Sequence, residues 1–510
     1  MHDAPAPHPR PYGTAAPAAP AKRRRRPRAA HAARPPRTRT AKAIAAAGAL
    51  LLAAGGYALA GPAQAAGTAA EVWITTADGG SRLAPAAGAA FDGSPQRIDI
   101  AVDTGERAQE FTGAGASITE ASARLLSGLP QGTRDALMTD LFGTGGEGIG
   151  LDYLRQPFGG TDFVAELPYY SYEDQQGSFS VDRDRAEILP LLNQALDVNG
   201  DVRVMATPWS APGWMKDSGR LEGGSVTPEH YGDYADYLVE ALNAYADAGV
   251  RVDDLTVANE PLFETSYPSM GMSAAEQADF LRVLDGRLAD AGLDTRLFVY
   301  DHNWDRPDYP LDVLDATGDL DRVQGAAFHC YGGQPEAQQQ VRDAGHRVFF
   351  TECSGTDSKD PARTFADTLK WQTENLVIRS MRSGSETVVL WNLALDGRGG
   401  PHFGHCGTRC NGVVEVDGGE VTKNAEYYLL GHVSKFVDRG AVRVGSTTQG
   451  PGGVQNVVFE NPDGSRAAVV RGAADGARTF SVTENGASLT YELPAGAVAT
   501  FTWPGAPAAG

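Results

Sequence analysis

From Phe111 to about Asp396 the chain alternates, eight times over, a short apolar run with a longer run of helical period. That alternation is the sequence form of repeated βα units, which bury parallel strands beneath helices. The strand candidates are Thr112–Gly115, Leu151–Pro157, Val202–Pro208, Leu255–Asn259, Leu297–Tyr300, Gly325–His329, Val348–Thr351 and Thr387–Asn392. Two of the helical stretches between them carry start signals. Pro228–Ala248 follows a threonine, and Ser273–Ala291 opens on a serine with Glu276 three residues on, the pattern of a capping box. Eight strands with crossover helices fit an α/β fold closed into a (β/α)8 TIM barrel better than an open doubly wound sheet.

The flanks have a different period. Before the barrel, "EVWITT" and "RIDIAV" alternate like strands. Beyond Asn424 the helical period fades and "VQNVVFE", "SRAAVV", "RTFSVT", "SLTYEL" and "VATFTW" follow, with turn residues at Asn461-Pro462-Asp463-Gly464 and Asn485-Gly486. These predict an antiparallel β-sandwich side domain that the early segment joins. The expected plan is 1–65 as a leader, 66–110 as an N-terminal β segment of the side domain, 111–423 as the catalytic barrel and 424–510 as the C-terminal sandwich.

Charge divides the chain at the same place. Eleven of the 44 basic residues but a single acid, Asp3, precede Ala66, so the remainder carries a net charge near −30. Such a body repels nucleic acid and anionic membrane, and a neutral substrate suits it better. The run of Lys22 and Arg23 to Arg26, the uncharged stretch Ala43–Ala70 and Ala63-Gln64-Ala65 read as a secretory signal with a long basic start, cleaved near Ala65. An uncleaved anchor helix is the competing reading, weakened by Gly55, Gly56 and Pro62. The expected location is extracellular, with no stable membrane insertion after cleavage. Four cysteines, Cys330, Cys353, Cys406 and Cys410, suit two disulfides in an oxidising compartment. Cys406–Cys410 is expected as a local clasp and Cys330–Cys353 as a link between strands six and seven. The alternative, a zinc site, is disfavoured by the scattered spacing, and no metal is expected.

Barrel enzymes carry their reacting groups at the C-terminal ends of the strands. Here those ends are polar. The second reads Arg155-Gln156-Pro157 with Asp162 following, the third Trp209-Ser210, and the fourth Asn259-Glu260-Pro261. The fifth leads into Asp301-His302-Asn303-Trp304, the sixth into His329-Cys330-Tyr331, the seventh into Glu352-Cys353-Ser354, and the eighth ends Trp391-Asn392. Carboxylates on strands four and seven can face each other across the barrel mouth. Glycosidic cleavage needs such a pair: one protonates the leaving oxygen while the other attacks the anomeric carbon or activates water. A lone strand-end glutamate is as readily a salt-bridge partner or helix cap. Two on these strands, beside tryptophan and asparagine, point to catalysis.

The motifs "YLRQPFGGTDF…YYSYED", "ATPWSAPGWMKDSGRLEGGS", "TVANEPLFETSYPSMGMS", "YDHNWDRP", "AFHCYGG", "FFTECSG" and "WNLALDGRGGPH" resemble, in order along the barrel, glycoside hydrolase family 30, the family of glucosylceramidases and microbial β-1,6-glucanases. The resemblance implies a retaining mechanism, a fused β module, Glu260 as acid/base and Glu352 as nucleophile. It also implies that Asn259 holds the sugar 2-hydroxyl and that Arg155 holds both the nucleophile and Asn259. Asp162, Trp209 and Trp391 would bind the non-reducing glucosyl unit, with Tyr331 beside the nucleophile and His329 in the binding set. Arg155 has a second reading as a neutraliser of buried acids, and His302 and His329 as core histidines.

Other residues read differently. Trp214 and Trp304 fall at strand ends where a ring can stack on sugar, whereas Trp73, Trp371 and Trp503 look like core. Glu120, Glu166 and Glu264 read as loop-surface carboxylates. Tyr169, Tyr170 and Tyr172 are candidates for a wall around one terminal glucose. "GTGGEG" at Gly143–Gly148 follows a helix and reads as a loop, and no nucleotide or metal motif accompanies the barrel, so no cofactor is expected. The expected function is a secreted hydrolase of a β-glucoside, glucan or glycolipid. The alternatives are a same-clan β-galactanase or xylan-active hydrolase, and a non-catalytic carbohydrate-binding barrel.

Overall fold

The expected barrel is present, and its strands begin and end within a few residues of the sequence boundaries. The computed structural model describes residues 67–93, 99–404, 406, 408–449, 453–472 and 476–505. The basic leader, its apolar run and Ala63-Gln64-Ala65 lie outside the described residues. Eight parallel strands follow in order: β1 Gly113–Ser117, β2 Tyr153–Phe158, β3 Arg203–Pro208, β4 Asp254–Thr256, β5 Arg296–Asn303, β6 Val323–His329, β7 Arg347–Glu352 and β8 Thr387–Asn392. β8 pairs with β1, and the ring closes where the Glu386 amide donates to the Val348 carbonyl at 2.8 Å. The interior is filled by Tyr153, Met205, Phe298, Ala327, Phe349 and Val389, one residue from each of six strands. Such a plugged barrel is rigid, and it presents the strand ends as a platform.

β1, "GAGAS", lacks the branched residues that mark strands, and its glycines answer a packing demand. A Cβ on Gly115 would lie 1.9 Å from the Tyr153 carbonyl, so the backbone of the neighbouring strand excludes any side chain there. The helix Ala274–Asp290 starts with the expected box, the Ser273 side chain accepting from Glu276 N–H and Glu276 reaching back. Pro228–His230 forms a 3₁₀ turn that leads into the helix Tyr231–Asp247.

The side domain is built from segments on both sides of the barrel in sequence. Thr68–Thr75 pairs with Val498–Trp503, and the sheet continues through Arg466–Arg471, Gln455–Glu460, Val442–Ser446 and Ile100–Glu110 to Arg478–Glu484 and Ala487–Leu493. Two expectations need correction. The sheet is not wholly antiparallel, since Ile100–Glu110 runs parallel to Arg478–Glu484 where Ile100 meets Val482. Helical structure also persists past Asn424: Ala425–Ser434 is a helix, buried on nearly all sides. All-round burial removes the amphipathic period from its sequence. Its His432 hydrogen-bonds Thr75 and Thr500 at 2.9 Å each, tying the helix to the sandwich. Among the described residues no helix is long and apolar enough to cross a membrane.

Candidate active site

Alternate residues of a strand share a face, so the layer above the interior plug is found two residues further along each strand. From Tyr153, Met205, Ala327, Phe349 and Val389 this step reaches Arg155, Thr207, His329, Thr351 and Trp391, all buried. From Phe298 it reaches Tyr300, and there the rule breaks. Ala327 pairs with Tyr300 but the next residue, Phe328, pairs with His302, so β5 carries one extra residue. Tyr300 and Asp301 both have left-handed backbone, with φ of 75° and 56°. A bulge of this kind re-aims the side chains that follow it. Tyr300 turns outward against Tyr309 and Phe328, and Asp301 turns inward and is fully buried.

These residues form one hydrogen-bonded network. Arg155 Nη1 donates to Glu352 Oε2 at 2.5 Å, and its Nη2 donates to Asn259 Oδ1 at 2.7 Å and Asp301 Oδ2 at 2.8 Å. His329 Nδ1 lies 2.9 Å from Glu260 Oε1, and its Nε2 lies 2.9 Å from Asp301 Oδ1. The Tyr331 hydroxyl donates to Glu352 Oε1 at 2.8 Å. Asp301 also accepts from Thr256 at 2.7 Å, Thr351 at 2.8 Å and Thr207 at 3.2 Å. Glu260 stands just beyond β4 with φ of 46°, its amide donating to the Asp301 carbonyl at 3.0 Å. Left-handed backbone at three non-glycine residues is costly, and such strain concentrates at functional sites.

The electrostatics follow from burial and these contacts. Burial works against a charged His329, but the carboxylates of Glu352, Asp301 and Glu260 outweigh it and raise the imidazole to about 9. His302 goes the other way: burial lowers it to about 4, against the Glu260 charge 3.6 Å away. Asp301 is held far below the usual carboxylate range, because Arg155 and His329 overcome its burial. Burial works to raise Glu260 as well, yet the hydrogen bond and charge of His329 hold it below its ordinary value. Burial raises Glu352, with the Glu260 charge adding to the rise and His329 and Arg155 opposing it. Two carboxylates so close titrate as a pair.

Above the network lies a cavity of about 700 Å³, lined by Asp162, Trp209, Asn259, Glu260, Tyr331, Glu352 and Trp391 among others. Trp209 and Trp391 stack with ring centroids 4.7 Å apart, and the Arg155 guanidinium sits 4.8 Å from the Trp209 centroid. Burial and the two glutamates raise Asp162 well above the usual carboxylate range. Both disulfides form, Cys330–Cys353 with a Cα separation of 5.4 Å and Cys406–Cys410 with 5.5 Å. The first joins the residue after His329 to the residue after Glu352, and Cys406 and Cys410 border the tryptophan end of the cavity.

The structure thus brings together Glu260, Glu352, Arg155, Asp162, Trp209, Asn259, His329, Tyr331 and Trp391. Other expectations are corrected. Tyr170 and Tyr172 do not wall the site: both are buried with their hydroxyls on Asp184, bracing the long loop after β2, and Tyr169 lines a neighbouring hollow. Trp304 is buried, with its Nε1 donating to Gln338 at 2.7 Å, and Trp214 donates to the Glu173 carbonyl outside the main cavity. Trp371, expected in the core, is 45% exposed and lines the cavity. Glu120 is not a loop-surface group but is buried, pairing with Arg183 at 2.6 Å. In the sequence Asp301 reads only as a strand continuation, and the bulge is what makes it central. One donor atom each from Glu260, His329 and Glu352 lies within 4.8 Å of the others. Among the described residues this is the cluster spaced for a cation, but Arg155 and the imidazolium already supply its positive charge.

A closed parallel barrel that presents two carboxylates after its fourth and seventh strands, Glu352 buried and Glu260 partly so, beside stacked tryptophans has the form of a barrel glycosidase. Residues 111–437 match the glycosyl hydrolase family 30 TIM-barrel domain and residues 440–501 match that family's β-sandwich domain. The chain belongs to glycosyl hydrolase family 30. It is 29% identical over 463 residues to the endo-1,6-beta-D-glucanase neg1 of Aspergillus fumigatus, covering 84% of this chain and 92% of the relative. It is 28% identical over 424 residues to the lysosomal acid glucosylceramidase of Mus musculus, covering 78% and 81%. The solved endo-beta1,6-glucanase BT3312 superposes with a TM-score of 0.77 at 27% identity, covering 85% of this chain and 99% of that one.

Proposed function

We propose that the chain is an exported, retaining β-glucanase that cleaves β-1,6-linked glucan by double displacement. Glu352 is the nucleophile and Glu260 the acid/base. The observation that carries the mechanism is the spacing of this pair: their nearer carboxylate oxygens lie within 4.8 Å of each other and of His329. Retaining enzymes hold the two carboxyl groups at about 5 to 5.5 Å, whereas inverting enzymes keep them several ångströms further apart to admit a water. Glu352, with Arg155 and Tyr331 donating to it, is oriented to attack. In the free enzyme burial raises Glu352 while His329 holds Glu260 below its ordinary value, and double displacement needs the proton on Glu260 when the sugar is bound. His329 Nδ1 lies 2.9 Å from Glu260 and 4.0 Å from Glu352, beside both carboxylates. Glu260 then protonates the leaving oxygen, and in the second step it takes a proton from the attacking water.

Glucan is favoured over a single terminal glucose by the shape of the cavity. The tyrosines that might have closed it are turned away, and three aromatic residues stand about half exposed on its walls, Phe263 at 47%, Tyr331 at 48% and Trp371 at 45%. Rings of this kind stack on successive sugars. The relatives named as endo-1,6-glucanases support the linkage, and the disulfides and the leader support export. The test sets β-1,6-glucan, gentiobiose and glucosylceramide side by side, with proton NMR of the first product. Oligosaccharides of retained β configuration from the glucan are expected. An α-anomer as first product, or activity confined to glucosylceramide, xylan or galactan, overturns the reading.

A further inference from the structure

Asp301 does not line the cavity, and no part of it is accessible to a substrate. Yet it is the one carboxylate bonded to both of the groups that hold the catalytic pair. Its Oδ2 takes the Arg155 nitrogen that also serves Asn259, while the other Arg155 nitrogen holds Glu352. Its Oδ1 takes His329 Nε2, and the opposite ring nitrogen holds Glu260. Two successive left-handed residues and a strand bulge are maintained to aim it there.

We propose that Asp301 is the positioning residue of this site: by accepting from Arg155 and His329 at once it couples the orientation of Glu352 and Asn259 to that of Glu260, and it keeps His329 an imidazolium. The inference rests on the roles assigned above to Glu260 and Glu352. Its physical core is charge balance. The groups facing His329 are Glu260 beyond β4, Asp301 and His302 on β5 and Glu352 on β7, with the Tyr331 ring edge-on, and Arg155 on β2 is bonded to the same Asp301 and Glu352. Of the carboxylates, Glu260 and Glu352 change charge during turnover, since one gives up its proton and the other becomes an ester. Asp301 alone stays anionic throughout, so it alone can hold the imidazolium steady while the other two change. The hydroxyls of Thr256 and Thr351 take its two remaining lone pairs, with Thr207 2.7 Å from Thr256 behind them, and keep it in one rotamer.

The test is Asp301→Asn. The amide has the same size, but its NH2 faces donors, so His329 must offer a lone pair and become neutral. Kcat on an aryl β-glucoside should fall by between about a hundredfold and ten-thousandfold, the range seen when a group orienting a catalytic or metal-bound histidine is lost. KM should change little, because Asp301 does not touch the sugar. Histidine-selective 15N NMR adds a readout that a purely structural role would not move. In the unmutated enzyme at pH 7 both ring nitrogens of His329 should be protonated, and in the variant only one. A wild-type His329 with a single protonated nitrogen overturns the proposal, even if the variant does not fold, and so does a variant with unchanged kcat and pH profile. The NMR result is independent of the pair's assigned roles. Turnover surviving in Glu352→Gln would sink those roles and leave the His329 signal to report on Asp301.

Discussion

The barrel mouth and the side sandwich are built under different rules. In the sandwich the hairpins follow local turn chemistry, although the pairing of Val442–Ser446 with Ile100–Glu110 also shifts register. Gln455–Glu460 and Arg466–Arg471 are joined through Asn461-Pro462-Asp463-Gly464, and Arg478–Glu484 and Ala487–Leu493 through Asn485-Gly486, whose positive φ values of 51° and 81° are what a two-residue hairpin needs. Its buried arginine Arg466 pairs with Glu484, which also takes the Trp503 ring N–H. In the mouth the local rules are broken: left-handed Tyr300, Asp301 and Glu260, a bulged strand, and three acids packed around one arginine and one imidazolium. Departures from local consistency mark where side chains are held for chemistry rather than for packing.

Five changes sharpen or break that contrast, taken from the largest effect on activity to the smallest. Glu352→Gln keeps the side-chain volume but removes the proposed nucleophile. Turnover on an aryl β-glucoside should fall at least about ten-thousandfold, as when other covalent nucleophiles are removed. Thermal unfolding should stay close to that of the parent, because the group was a buried charge serving chemistry. A large loss of melting temperature with retained activity would mean that Glu352 belongs to the packing side of the comparison.

His329→Gln removes the cation beside Glu260. The sign follows from the contacts: the imidazolium stabilises ionised Glu260 and so lowers its proton affinity, and without it Glu260 keeps its proton to higher pH. The alkaline limb of kcat/KM, which reports loss of the acid's proton, should move upward by about one pH unit while the maximum falls about a hundredfold. A pH–rate profile decides it, and a limb that moves downward or stays in place contradicts the network.

The same contrast explains what was legible in the sequence. The strand ends with Arg155, Trp209 and Trp391 could be read because strict alternation from the barrel interior delivers them to the mouth, Glu260 and Glu352 because Asn259-Glu260-Pro261 and Glu352-Cys353-Ser354 end two strands with the family's motifs although neither follows simple alternation, and the sandwich hairpins because their turn residues obey local chemistry. Asp301 could not be placed, since simple alternation from Phe298 puts Tyr300 inside and Asp301 outside, and only the bulge reverses them. The signal available was a polar run, Asp301-His302-Asn303, at the end of an otherwise apolar strand. Trp371 was misread because its helix, Thr364–Gln372, is amphipathic in the ordinary way and only the cavity beside it gives the exposed face a use. Tyr170 and Tyr172 were misread for the opposite reason. Their hydroxyls reach Asp184 from a later part of the same loop, a pairing that carries no periodic signature.

Trp371→Ala tests whether that exposed ring belongs to the chemistry-bearing mouth. KM for β-1,6-glucan should rise about tenfold, corresponding to the roughly 1 to 1.5 kcal/mol an aromatic contact contributes, while kinetics on a small aryl glucoside stay unchanged. Equal effects on both substrates would place Trp371 in the frame instead. Replacing Cys330 and Cys353 together by serine probes the brace between the two sides of the site. The bridge closes residues 23 apart, so its loss should cost about 3 kcal/mol of stability, read from denaturant unfolding. Activity should fall only a few-fold, through looser placement of Tyr331 and Glu352. The Cys406–Cys410 bridge closes only four positions and should cost less.

The smallest effect on activity is expected in the sandwich. Gly486 sits at φ of 81° in the hairpin between Arg478–Glu484 and Ala487–Leu493, a region that an L side chain enters at a cost of about 1 to 2 kcal/mol. Gly486→Ala should therefore lower unfolding stability by about that amount. It should leave kcat and KM on both aryl glucoside and glucan as they were, because neither residue of this turn lines the cavity. The comparison is quantitative here: the same left-handed backbone is tolerated at Asp301, where a buried network over-determines it, and at Gly486, where only the missing side chain permits it. Should Gly486→Ala depress kcat without moving the unfolding midpoint, the sandwich would be coupled to the mouth and the division between the two regions would fail.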